Sequence, residues 1–181
     1  MIVSRNEVHG VVRKAALGAS LPGGTADDLA NATSWMEARG LSALPLALDQ
    51  IEAGDAARLN VATFFDRIAA GESTVQAKGT NLLLVGFGAD AARAYGMGFA
   101  IEWAECRAGV GPDGFVLSGN HATGQAVISR NDAPPATPRV DEIVVRKEDW
   151  ARANQMAAAY YVPATDASRL GGAGAGVNDN D

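Results

Sequence analysis

A single cysteine, Cys106, stands in 181 residues, so no internal disulfide can staple the chain. Histidine is nearly as scarce, with His9 and His121 the whole supply. One thiol and two imidazoles fall short of the roughly four ligands of a Cys/His structural zinc site. Positive charge is also thin: 15 Lys and Arg stand against 21 Asp and Glu, for a formal net charge of −6. No basic run exceeds two residues, Arg13-Lys14 and Arg146-Lys147 being the longest. Nucleic acid is therefore not an expected partner, because phosphate binding is driven by clustered Lys and Arg. An anionic membrane surface is disfavoured for the same reason. Long hydrophobic runs are missing as well; Met156 to Val162 is the longest, far below the roughly 20 residues of a membrane span. The opening MIVSRNEVHG has no charged segment leading into a long apolar core, so no export signal and a cytoplasmic location are expected. No cofactor is implied by any motif.

What is present suits a folded protein. Hydrophobic residues make up 48% and charged residues 20%, enough to build a core in one domain over 1–181. Arginine outnumbers lysine 12 to 3 and 36 residues are alanine, a composition that reads as bacterial GC-rich coding bias.

Residues 1–71 read as mainly helical. Ser4 and Glu7 form a capping box ahead of Val8, Val11, Val12 and Ala15, which mark one helical face. Leu21-Pro22-Gly23-Gly24 breaks that helix. Thr25 is the expected cap of a second, with Leu29, Ala32 and Met36 buried, Trp35 at the edge and Gly40 just past its end. A third helix is expected from Pro45 to Gly54, and a weaker one from Leu59 to Ala70 anchored by Phe64, Phe65 and Ile68.

Residues 72–181 read as strand-rich with a C-terminal helix. Asn81 to Gly86 is expected as a buried strand and Ala89 to Tyr95 as a short helix stopped by Gly96. Phe99 to Glu105 and Gly114 to Ser118 read as strands joined by a loop holding Gly109, Gly111, Pro112 and Asp113. Gln125 to Arg130 and Val140 to Arg146 read as further strands, separated by a proline-rich surface loop. Glu148 to Tyr161 reads as an Ala-rich helix. Helices first and strands later favour an α+β fold with a small, mainly antiparallel sheet. The core expected from the helical half is Val8, Val11, Val12, Leu29, Met36 and Leu48.

The most conspicuous motif is Gly171-Gly172-Ala173-Gly174-Ala175-Gly176. A glycine loop can present backbone N–H groups to an anion. A dinucleotide fingerprint would need a strand before it and a helix after it, and neither is expected here. Two readings of the segment stand side by side. One is a segment, 168–181, ordered against the protein or a neighbouring subunit, with an anion site begun by Ser168 and Arg169, closed by Gly171 and Gly172 and lined by Tyr161. The other is a solvated tail. His121, in a polar loop between two strands, is the one candidate general base, or else a turn residue exposed to water. His9 reads as a partly exposed helix residue. Glu102 and Glu105 differ by an odd number, so an unbroken strand sends them to opposite faces. Cys106 reads as a packed thiol. Asp179 and Asp181 read as solvated terminal carboxylates.

Two stretches carry a resemblance. They are Ser4-Arg5-Asn6-Glu7, Ala15-Ala16-Leu17-Gly18 and Leu21-Pro22 with Trp35-Met36-Glu37-Ala38-Arg39-Gly40-Leu41, and the ending from Tyr161-Val162-Pro163 to Asp181. Together they resemble, over most of the chain, a bacterial family known only as a domain of unknown function, numbered 3726. That resemblance implies a small cytoplasmic protein and brings no catalytic residues. Val3-Ser4, Glu7 and Glu37-Ala38-Arg39-Gly40 also look like the N-terminal helices of the malate/L-lactate dehydrogenase family. That family continues with a histidine-containing motif, where this chain has Leu41-Ser42-Ala43-Leu44.

The functional expectation is a small-molecule-binding or accessory subunit in bacterial catabolism. It would bind a small anionic metabolite or a protein partner, and a homodimer is the expected assembly because two-fold dimers are the commonest closed form. The rival reading is a small cofactor-free hydrolase, isomerase or lyase acting on a small anionic metabolite, with Ser168 and Arg169 binding and His121 moving the proton.

Overall fold

A computed structural model describes residues 1–54, 61–119 and 122–161. The first half holds a short strand, β1 (Ile2–Val3), then helices α1 (Arg5–Gly18), α2 (Gly23–Glu37), α3 (Leu44–Ala53) and α4 (Ala62–Ala69). Strand β2 (Thr74–Asn81) and helix α5 (Leu83–Tyr95) follow. Then come β3 (Gly98–Glu102), β4 (Cys106–Val110), β5 (Phe115–Gly119), β6 (Thr123–Asn131), β7 (Ile143–Val144) and α6 (Lys147–Ala158). The five longer strands make one antiparallel sheet in the order β2-β6-β3-β4-β5, and β1 pairs with β7 apart from it. The fold is α+β, as the segregation of helices and strands along the chain indicates.

Helix α1 starts as its sequence dictates: the Ser4 hydroxyl accepts from the Glu7 N–H and the Glu7 carboxylate accepts from the Ser4 N–H. Its Val8, Val11 and Val12 are buried, as are Leu29, Met36 and Leu48 further on. Helix α2 begins three residues earlier than expected, at Gly23, so Thr25 lies inside its first turn and is not its cap. Pro22, extended at ψ 144°, sets the entry angle directly, because its ring fixes φ and the helix can start beside it. Trp35 is not at an edge; it is 1% exposed, enclosed by Arg39 and the turn at Pro112. After Glu37 the chain closes a Schellman motif. Gly40 takes φ +77°, its N–H donates to Glu37 O at 3.1 Å, and the Leu41 N–H donates to Met36 O at 3.1 Å.

The second half departs further from its sequence reading. Asn81 to Gly86 is not a strand. Leu83 onward belongs to α5, which packs between α2 and the sheet. A helix covered on two sides needs apolar residues all round, and that erases its 3.6-residue signature. Residues 106–110, read as a loop, are strand β4, with Gly109 inside it opposite Ala100. Residues 74–81 form β2, which the sequence reading left out. The strand expected over Phe99 to Glu105 stops at Glu102, where the Trp103 N–H donates to Cys106 O at 2.7 Å and turns the hairpin. Val140 to Arg146 pairs only over Ile143 and Val144, because its partner β1 is two residues long before Ser4 diverts the chain into α1. Val75, Ala77, Phe99, Ile101, Ala108, Val110, Ala126 and Ile128 point inward onto the helices. Gln76, Glu102, Arg107 and Ser118 occupy the opposite face.

The joint between α2 and α3 rests on one carboxylate. Glu37, 6% exposed, accepts from the N–H groups of Ala43 and Leu44, each at 2.7 Å. It thereby serves as the cap that α3 lacks among its own side chains. Burial pushes the Glu37 carboxyl above its ordinary range. Its two N–H bonds pull the other way, and the charge of Asp149 adds to the rise. The folded protein therefore holds this proton more tightly than the unfolded chain does. The stability it contributes is full below the unfolded carboxyl range and is lost as pH climbs through the folded value. Glu37→Gln keeps an acceptor oxygen and removes the charge, so it is expected to be no less stable than the parent at pH 7, with the difference closing on acidification. Glu37→Ala strands two buried donors and is expected to cost about 1–3 kcal/mol for each. Urea midpoints at pH 7 and pH 5 measure both; a Gln advantage that widens on acidification contradicts the assignment.

Candidate functional site

Of the residues singled out for ligand binding, Tyr161 alone lies among the described residues. His121, Ser168, Arg169, Gly171 and Gly172 lie outside them, as do Asp179 and Asp181 and the glycine-rich segment as a whole. Tyr161 stands just past α6, on the rim of a groove of about 410 Å³ between α6 and α1. One wall is α1, with Asn6, Glu7, Gly10, Val11 and Lys14. The other is α6 and its exit, with Trp150, Asn154, Ala157 and Ala158.

The helical repeat explains both walls. Glu7, Gly10, Val11 and Lys14 are three or four apart and share one face of α1. Trp150, Asn154 and Ala158 form an i, i+4 row on α6. Beneath them Ala153 and Ala157 are buried against α1 together with Val8 and Val12, which holds the helices close along their floor. Acidic Glu148 and Asp149 in the first turn of α6 suit its dipole, and Arg146 pairs with Asp149 at 2.7 Å. Arg152 anchors the far side of α6 to Asp49 and Glu52 of α3.

Lys14 supplies the one ammonium in the groove. It donates to the Tyr161 hydroxyl at 2.7 Å, and among the described residues it pairs with no carboxylate. Two of its three N–H donors are left for a ligand. The Glu7 carboxylate is committed to the capping box and is held below its ordinary range by the Ser4 hydrogen bonds. Asn154 spends one amide hydrogen on Trp150 O at 2.8 Å, leaving its carbonyl oxygen as an acceptor. Gly10 is the unusual member. A Cβ built on it would meet nothing within 4 Å, so no packing demands glycine in mid-helix, where it costs about 0.5–1 kcal/mol relative to alanine. Its missing side chain leaves that part of the groove open. Lys14, Gly10, Trp150 and Asn154 were absent from the sequence-level candidates. The bare glycine within an otherwise good helical pattern was the available signal.

The other candidates settle into structural places. Cys106 is buried, and burial pushes its thiol up, favouring the protonated and less nucleophilic form. Glu102 is paired with Arg107 of the neighbouring strand, while Glu105 is exposed in the turn beyond it. Among the described residues no group of three or more His, Cys, Asp or Glu is placed to hold a metal ion. No described helix is long and apolar enough to cross a membrane.

No curated protein, dehydrogenases included, and no solved structure matches the chain. Residues 3–51 match the family model described as Protein of unknown function (DUF3726). The resemblance read over most of the chain is thus corrected to its N-terminal part, α1 to α3. That segment holds the helical caps, Trp35 and the Glu-Ala-Arg-Gly turn; over these 49 residues the chain is similar to a family of unknown function.

Proposed function

We propose that this protein binds a small organic anion in the groove between α1 and α6, in a binding or accessory role. The observation that carries the reading is the open wall at Gly10 beside an ammonium that has no carboxylate partner among the described residues. An acidic group on the ligand would take the free donors of Lys14, with the Tyr161 hydroxyl close by. Its apolar body would lie against Trp150 and Val11, in a cleft of the size that small-molecule sites use. A charge-assisted hydrogen bond of this kind contributes about 1.5–3 kcal/mol, so Lys14→Gln is expected to weaken binding at least tenfold.

The experiment is a thermal-shift and calorimetric screen of small aliphatic and aromatic carboxylic acids. It is repeated on Lys14→Gln and on Gly10→Phe, whose ring would fill the groove from a position where the fold leaves room. Binders are expected to lose affinity in both variants while the circular dichroism spectrum is unchanged. Affinity untouched by Gly10→Phe would place the ligand elsewhere and sink the reading.

A further inference from the structure

Away from the groove, the side chain of Arg39 is buried and, among the described residues, has no carboxylate in a hydrogen bond or ion pair with it. The residue is 8% exposed. Its guanidinium lies over the Trp35 ring at 4.0 Å and donates to two carbonyls, Trp35 O at 3.3 Å and Asp113 O at 3.2 Å. Its Nε is buried and has no hydrogen-bond partner among the described residues. A cation so placed gives up hydration and recovers only part of it from neutral acceptors.

Three more arginines are brought up to the same place by different segments. Arg93 of α5 donates to Pro112 O at 3.3 Å, the carbonyl that also accepts from Trp35 Nε1. Arg139 belongs to the proline-rich loop, which is strapped down on either side of it. The Thr137 N–H donates to Asp113 O at 3.0 Å and the Val140 N–H to Ala38 O at 2.9 Å. Arg5 is the first residue of α1, where the helix dipole is itself positive and disfavours a cation. Arg5 and Arg39 have their proton affinities lowered, first by burial and then by Arg139, with Arg93 adding to both. Guanidinium groups do not shed protons near neutrality, so the repulsion persists in the folded state. Among the described residues, Asp90 opposes it at Arg5 and Asp113 at Arg39. Asp90 is already engaged by Arg93 at 2.9 Å. Positive charge is thus concentrated here, in a chain whose net charge is −6. Among the described residues Arg5 and Arg139 have no ion-pair partner.

We propose that Arg39, Arg93 and Arg139, gathered around the Pro112-Asp113 turn, form with nearby Arg5 a second anion site that takes a doubly charged oxyanion, a phosphate or a dicarboxylate group. Arg5 and Arg139 supply the free donors. Arg39 supplies buried charge that a bound dianion would neutralise. The planar fork of guanidinium matches the oxygens of either group in pairs. Such a site is independent of Lys14 and does not rest on the groove's ligand.

The test is calorimetry and thermal shift at low ionic strength, with inorganic phosphate and with succinate as probes. Both are measured on the full chain and on Arg139→Gln, Arg5→Gln and Lys14→Gln. At least one probe is expected to raise Tm and bind saturably, with affinity falling tenfold or more in Arg139→Gln and Arg5→Gln and unchanged in Lys14→Gln. The probe that binds assigns the ligand class. Added chloride is expected to weaken binding through screening. The proposal is overturned if neither probe binds. It is equally overturned if binding survives in both arginine variants, or if Lys14→Gln is the variant that removes it, since the anion is then held in the groove.

Discussion

Trp35→Ala is expected to cost about 3–5 kcal/mol of folding stability, the range for emptying a fully buried large aromatic position. The residue ties together parts of the chain far apart in sequence. Its ring meets Phe115 edge-on with centroids 6.1 Å apart, its indole N–H donates to Pro112 O at 3.2 Å, and its face carries the Arg39 guanidinium. Truncation removes the ring volume, leaves Pro112 O to Arg93 alone and leaves a buried cation without the surface it rests on. Trp35→Phe keeps much of the volume and loses the N–H donor, so about 1–3 kcal/mol is expected. Urea unfolding followed by far-ultraviolet circular dichroism measures both. A loss under about 1 kcal/mol for Trp35→Ala would show that this residue is not the tie between helices and sheet described above.

One substitution, glycine to alanine, is expected to have opposite signs at two helical positions. At Gly86 of α5 an added Cβ would lie 2.6 Å from Ala32 O and 2.9 Å from Ala32 Cα. Helices α2 and α5 there touch backbone to backbone, and no side chain can give way. Gly86→Ala is expected to destabilise by about 1–3 kcal/mol or more, because the helices must separate. At Gly10 of α1 the added methyl meets open space, and Gly10→Ala is expected to stabilise by about 0.5–1 kcal/mol through helix propensity. Paired denaturant titrations decide it. A neutral Gly86→Ala would contradict the close approach of α2 and α5, and a costly Gly10→Ala would contradict the open groove.

Local chemistry made much of the first 54 residues readable, the cap at Thr25 and the edge position of Trp35 excepted. The Ser4–Glu7 box, the turn at Gly40 and the stop at Gly54 each act within a few residues of themselves, and the structure places them as read. The second half of helix α5 was readable, Ala89 to Tyr95 with its stop at Gly96; its first half was not, because its burial comes from two sides, and those sides are α2 and a sheet built mostly from later strands. Strand β2 carries its alternation in Val75 and Ala77, the second too small and too common in helices to mark a strand. Strand β4 was hidden by Gly109, which sits within the ladder where glycine ordinarily signals a turn. The site followed the same rule. Tyr161 could be singled out as an aromatic near a polar segment, but its partner Lys14 is 147 residues away. The four arginines come from four separate segments with no local spacing to announce them.

The central claim is that the cleft between α1 and α6 is a ligand site for a small organic anion. Its most direct measurement is calorimetric titration of the strongest binder from the carboxylic acid screen into the parent protein and into Gly10→Phe. A saturable one-to-one isotherm in the parent, abolished in a Gly10→Phe protein that melts as cooperatively as the parent, is the expected result. The same isotherm in both proteins, or no binder for the parent at millimolar concentrations, would contradict it.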